Sequence, residues 1–162
     1  MIVAERYVEK TRTWADNWNN VVRRVLFKDD ELRRLMLIPE DCTVTQFVQK
    51  YFIEDDSAGE IITDEAVRII YHDEYGPDSG NSHIHQCYKE FDIFVKDNVM
   101  YTASRDRLQT RTHLIAERLK YLLLRQKNVE HMSFRYRDEY HLWTKTAGFK
   151  RYHVIFSYKT TA

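Results

Sequence analysis

Polar and apolar residues alternate with a period of two in GFKRYHVIFSYKT, Gly148 to Thr160. Tyr152, Val154, Phe156 and Tyr158 fall on one side; Arg151, His153, Ser157 and Lys159 fall mostly on the other. That period predicts a half-buried β-strand. Three earlier stretches alternate in the same way. EAVRIIYHDE places Val67, Ile69 and Tyr71 on one face. A longer run from His83 to Lys96 places Cys87, Phe91, Ile93 and Val95 on one face, and Gln86, Glu90, Asp92 and Lys96 on the other. Lys89 interrupts that apolar face and predicts a bulge or an exposed strand end. MSFRYRDEYHLW sets Phe134, Tyr136 and Tyr140 against Arg135, Arg137 and Glu139.

A helical spacing governs the rest. Trp14, Trp18, Val21, Val22, Val25 and Leu26 form a stripe near the start. Asp29 is placed to cap a second helix, with Asp30 and Glu31 in its first turn and Pro39 as its stop. Thr43 to Gln46 has capping-box spacing and leads into a short helix holding Phe47, Val48, Tyr51 and Phe52, a stretch whose β-branched residues would also suit a strand. The clearest helix is RDRLQTRTHLIAERLKYLLLRQ, capped by Ser104. Its stripe is Leu108, Ile115, Leu119 and Leu122, with Leu114 and Leu123 beside it.

The order is helices, hairpin, helix, hairpin. It predicts an α+β fold: N-terminal helices, then an antiparallel sheet of two hairpins with one long amphipathic helix on one face. The other face carries Arg, Glu, His and Tyr and is expected to meet water or a partner. One domain spans 1–162, with a helical part over 1–56 and an α+β core over 61–162. Polar EDDSAGE, Glu54 to Glu60, joins the two. The segment Tyr75 to Ser82 forms the long tip of the first hairpin, and TKTAG turns the second.

Composition narrows the function classes. With 162 residues, 43% hydrophobic and 31% charged, the chain is long enough for a real core. Net charge is zero, which weighs against a dedicated nucleic-acid binder. No run is long and apolar enough to cross a membrane, and the charged start MIVAERYVEK does not suit a signal peptide. Cys42 and Cys87 fit two free thiols in a reducing compartment better than a disulfide.

Candidate chemistry is sparse. His83, His85 and Cys87 share a strand face, but residues at that spacing stand about 7 Å apart, so one ion rarely collects all three. His72, Asp73, Glu74, Asp78, His83 and His85 gather near one loop and suit acid–base or cation chemistry; they equally suit a solvated loop. No nucleophile elbow, phosphate loop or dinucleotide fingerprint is present. Catalytic, cofactor and metal residues are therefore not assigned. Arg105, Arg107, Arg111 and Arg118 form a basic helix face, read first as solvated, then as a contact for a neighbour's acids or for DNA phosphates. The Arg, Lys and Tyr of the last two strands suit a subunit interface better than base stacking.

The segments NVVRRVLFKDDELRRLM, VRIIYHDE…YKEFDIFVKDN, RDRLQTRTHLIAERLKYLLL and GFKRYHVIFSYKT together resemble the neck and tail-terminator proteins of tailed bacteriophages. The likeness is one of order and texture, from about Val21 onward. It implies a structural virion protein, made in the host cytoplasm, acting at the head–tail junction without a substrate or cofactor. Copies would form a ring, usually of six, that caps the tail tube and joins it to the head connector or stopper, close to DNA in the lumen. Arg105, Arg107, Arg111 and Arg118 would then face Asp55, Asp56 and Glu60 of a neighbour. Tyr75, Asp78, Asn81 and His83 at the hairpin tip would meet a tail or neck partner. Other readings are a different neck ring, such as a stopper or head-completion protein; a small metal-dependent enzyme using His72, His83 and His85; and a nucleic-acid-binding sheet using Tyr136 or Tyr152.

Overall fold

Asp29 Oδ2 accepts the Leu32 backbone N–H at 2.8 Å, and this local bond starts one of the short helices of the N-terminal part. The computed structural model describes residues 17–54, 65–75, 84–104, 107–125 and 132–161. Helix α1 is α-helical over 17–20 and widens to a π-helix over Val21–Leu26. Helix α2 is Asp30–Leu35. Helix α3, Val44–Gln46, continues as a π-turn over Phe47–Tyr51. Trp14 of the predicted stripe lies outside the described residues; Trp18, Val21, Val22 and Leu26 are buried.

The predicted caps at Asp29 and Thr43 both form. Thr43 accepts from Gln46 N–H, and the Gln46 side chain accepts from Thr43 N–H, closing the capping box. Pro39, however, does not stop α2. The helix ends four residues earlier, where Leu37 adopts a left-handed φ of 56°. Ile38 N–H then donates to Arg33 C=O and Leu37 N–H to Arg34 C=O, a Schellman ending built on leucine instead of glycine.

The strands are β1 Phe52–Glu54, β2 Val67–Tyr75, β3 Ile84–Lys96, β4 Tyr101–Ser104, β5 Arg107–Thr110, β6 Phe134–Leu142 and β7 Phe149–Thr161. Helix α4 is Arg111–Leu124. The fold is α+β, but the sheet differs from two simple hairpins. It has five strands in the order β1-β2-β3-β7-β6. The β2–β3 and β6–β7 hairpins are present and antiparallel; β7 also pairs with β3 along thirteen residues, fusing them. Strand β1 adds in parallel to β2, so the sheet is mixed. Phe52 therefore begins a strand instead of ending a helix.

A second difference concerns α4. Ser104 does not cap it. Residues 101–104 and 107–110 instead form a separate two-stranded ribbon, β4–β5, and the helix starts at Arg111. Ile115, Ala116, Leu119 and Leu123 are buried on the sheet, while Leu122 is half-buried. One hydrophobic core runs from Trp18 to Tyr158, drawing on both the helical part and the sheet. Trp18 lies against Phe52, Tyr71, Phe91 and Phe134 at its centre. Cys42 and Cys87 are buried and form no disulfide. Among the described residues no helix is long and apolar enough to cross a membrane.

Lys89 makes neither a bulge nor an exposed end. It pairs in regular register with Asp73 and Phe156, and is completely buried. Its Nζ donates to Asp73 at 2.6 Å and lies over the Trp18, Tyr71 and Tyr158 rings. The bulge falls on β6 instead, between Tyr136 and Asp138. Arg137 is the extra residue, and its Nε donates to Ser157 Oγ at 3.0 Å. Beyond it the alternation changes phase. Glu139 and His141 join the core side, opposite Val154 and Tyr152, while Tyr140 turns to the far side beside His153.

Candidate functional site

Two surfaces of the sheet carry the chain's unusual side chains. The first is the β6 edge. Among the described residues no strand pairs with its outer side, so a row of backbone donors and acceptors is left for solvent or a partner. Tyr136 and Tyr140 are exposed on this strand, and Trp143, just past its end, is 76% exposed. Tyr121 of α4 is exposed as well. Lys120 of α4 ties helix to edge strand: its Nζ pairs with Glu117 and, at 2.7 Å, with Glu139 Oε1. Burial alone would lower the Lys120 pKa, but the hydrogen bonds to Glu117 and Glu139 push it up to about 12. Tyr152, by contrast, is buried and is not offered to a stacked base.

The second surface is the face turned away from α4. It is not the open polar face that alternation implies. Arg68 is fully buried, its guanidinium 5.2 Å from the ring centres of both Phe94 and Phe149, and Ile70 and Phe94 are buried beside it. A chain of charged groups then crosses β2, β3 and β7. His72 Nε2 lies 2.6 Å from Glu90 Oε2 and 3.7 Å from Glu74 Oε1. His153 Nε2 lies 3.4 Å from Glu90 Oε1, and its Nδ1 lies 2.7 Å from Asp92 Oδ1. Arg151 holds both Asp92 oxygens, at 2.9 and 3.0 Å.

Burial would raise the Asp92 pKa, but the hydrogen bonds from His153 and Arg151 hold it below the ordinary carboxylate value. Burial would likewise lower the His153 pKa, yet Asp92, with Glu90 behind it, holds it above the ordinary imidazole value. His72 and Glu90 come together because they are direct cross-strand partners. Glu90 and His153 come together because β7 lies on the other side of β3. Reading along the sequence groups His72 with its neighbours Asp73 and Glu74; it has no means of finding Glu90, Asp92 and His153. Asp73 points to the opposite face, where it pairs with Lys89.

The predicted interface residues separate into those the structure describes and those it does not. Arg111 is buried, donating to the Val99 and Leu35 carbonyls. Arg118 grips both oxygens of Asp29, one through Nε at 2.8 Å. Both arginines are thus engaged within their own chain. Arg105, Asp55, Asp56, Glu60, Asp78, Asn81 and His83 lie outside the described residues, as do the side chains of Arg107, Tyr75 and His85. Comparison of the chain with protein-family models and with curated proteins gave no match.

Proposed function

We propose that the protein is a structural subunit of the head–tail junction of a tailed bacteriophage, the tail terminator that caps the tail tube and joins it to the head connector. The observation that supports this reading is the β6 edge: a nine-residue strand with no strand on its outer side among the described residues, with exposed Tyr136 and Tyr140 on it and exposed Trp143 just beyond. Tyr and Trp are enriched where proteins meet, and a free strand edge offers backbone bonds to a neighbour. The two sheet edges are unlike, since β1 is only three residues long. An edge that meets a different patch on the next copy makes a heterologous contact, the kind that closes into a ring.

The reading rests on this edge and on the resemblance in sequence order, and less on the arginine row, because Arg111 and Arg118 already have partners within the chain. A different neck ring would use the same edge, and binding to purified tail tubes separates the two. The test is native mass spectrometry over a range of concentrations, with and without tail tubes. A species near about six times 19.6 kDa is expected. Tyr136→Glu with Trp143→Glu should abolish it while the circular dichroism spectrum stays unchanged. A chain that stays monomeric and ignores tail tubes would overturn the reading, as would a ring indifferent to both substitutions.

A further inference from the structure

The row of charged groups on the far face has a feature that ion pairing alone does not require. Two imidazole Nε2 atoms, from His72 on β2 and His153 on β7, converge on the single Glu90 carboxylate of the strand between them. The ligand atoms of His72, Glu74 and Glu90 all lie within 4.8 Å of one another. We propose that His72, Glu74 and Glu90 bind a divalent transition-metal ion of the zinc class across β2 and β3, with His153 on β7 holding Glu90 from its other side.

The donor set suits the ion. Neutral imidazole and carboxylate are zinc ligands, and three of them with a water in the fourth position make an open tetrahedral site. With bonds of about 2.1 Å, a tetrahedral ion sets its ligand atoms roughly 3.4 Å apart. The separations of 2.6 and 3.7 Å from His72 Nε2 to Glu90 and Glu74 bracket that value.

The outer partners suit it as well. A metal-bound carboxylate is commonly held by a hydrogen-bonding group of its own. His153 Nε2 does this for Glu90, and Asp92 and Arg151 fix His153 in turn. Access is present, because Glu74 is largely exposed and His72 is partly so. A second set of this kind, His113, Glu117 and Glu139, contrasts with it. There the Lys120 ammonium already sits between the two carboxylates and supplies their countercharge.

The test uses the full chain stripped with chelator and titrated with Zn²⁺, followed by calorimetry and native mass spectrometry, with Co²⁺ as a spectroscopic probe. One ion per chain is expected, with an intense tetrahedral Co²⁺ absorption and a raised Tm. His72→Ala and Glu90→Gln should each weaken binding at least tenfold. His153→Ala should weaken it by roughly ten- to a hundredfold, as loss of an orienting partner does. His113→Ala should leave it unchanged. If Glu90→Gln fails to fold, His72→Gln, at a partly exposed position, keeps the test decisive. No stoichiometric ion, or binding that survives His72→Ala or His72→Gln, would overturn the proposal.

Discussion

Lys89 Nζ lies 3.9 Å from the centre of the Trp18 ring, so the chain holds an ammonium inside its aromatic core. Burial lowers the Lys89 pKa, against the opposing pull of the Asp73 carboxylate. A buried charge is tolerated when paired and costly when its partner is removed. Asp73→Asn should therefore lose about 3 kcal/mol of stability in urea unfolding. Lys89→Met, which removes the charge and keeps much of the volume, should lose much less. Equal losses would mean that the cage depends on shape alone.

Leu37 offers a gain. Its φ of 56° is a conformation that leucine adopts at a cost and glycine adopts freely. The side chain is 43% exposed, so little packing is lost on its removal. Leu37→Gly should raise stability by roughly 0.5–1 kcal/mol, read as a higher denaturation midpoint with an unchanged slope. Leu37→Ala, which keeps the Cβ, should give no such gain.

Asp29 joins α2 to α4, capping the first and gripping Arg118 of the second. Burial would raise its pKa, but the Arg118 hydrogen bond and the Leu32 N–H hold it below 3.8. A depressed carboxylate contributes stability that is present above its unfolded pKa and lost as pH falls through the folded one. Stability should thus decline below about pH 4. Asp29→Asn should flatten that decline while lowering stability at pH 7. An unchanged acid slope in the variant would show that other carboxylates dominate.

Tyr71 acts at the other end of the scale. Burial pushes its pKa up to about 12, and its hydroxyl accepts from Trp18 Nε1 at 3.2 Å. Tyr51 and Tyr152 are also pushed up to about 12, first by burial. Their contribution is complete below the unfolded value near 10 and is lost as pH rises from there toward 12. The last part of the tyrosinate absorbance, that of the buried rings, should appear only with alkaline unfolding. Tyr71→Phe should make the alkaline loss shallower, leaving the part due to Tyr51 and Tyr152. Tyrosinate absorbance that reaches its full value before unfolding would contradict this.

Local signals were the readable ones. The Asp29 cap and the Thr43–Gln46 box are bonds between near neighbours, so their spacing alone specifies them. The two hairpins were readable because burial of one face imposes a period of two. The β4–β5 ribbon was hidden because Ser104 and Leu108 also fit the cap and stripe of a helix. Strand β1, with three residues, shows no period at all. The bulge at Arg137 has no glycine to mark it, and it reverses the facing of Glu139 and Tyr140. Lys89 departs from expectation because a lone cation on an apolar face is ordinarily exposed. Only the sheet order reveals the rings and the carboxylate around it. The polar row was half legible: His72 and Glu74 stand together in sequence, whereas Glu90 and His153 meet through pairing that no short window contains.

The central position of β7 has a consequence for how the chain is made. Every other described element precedes it, yet it is flanked on both sides. During synthesis β3 stays an open thirteen-residue edge until β7 emerges, and α4 has only part of its floor to pack on. Such a nascent chain has high contact order and a strand edge bare to its neighbours on the polysome. Its buried lysine and the charged groups of its far face discourage wrong pairings at that edge until the last strand arrives.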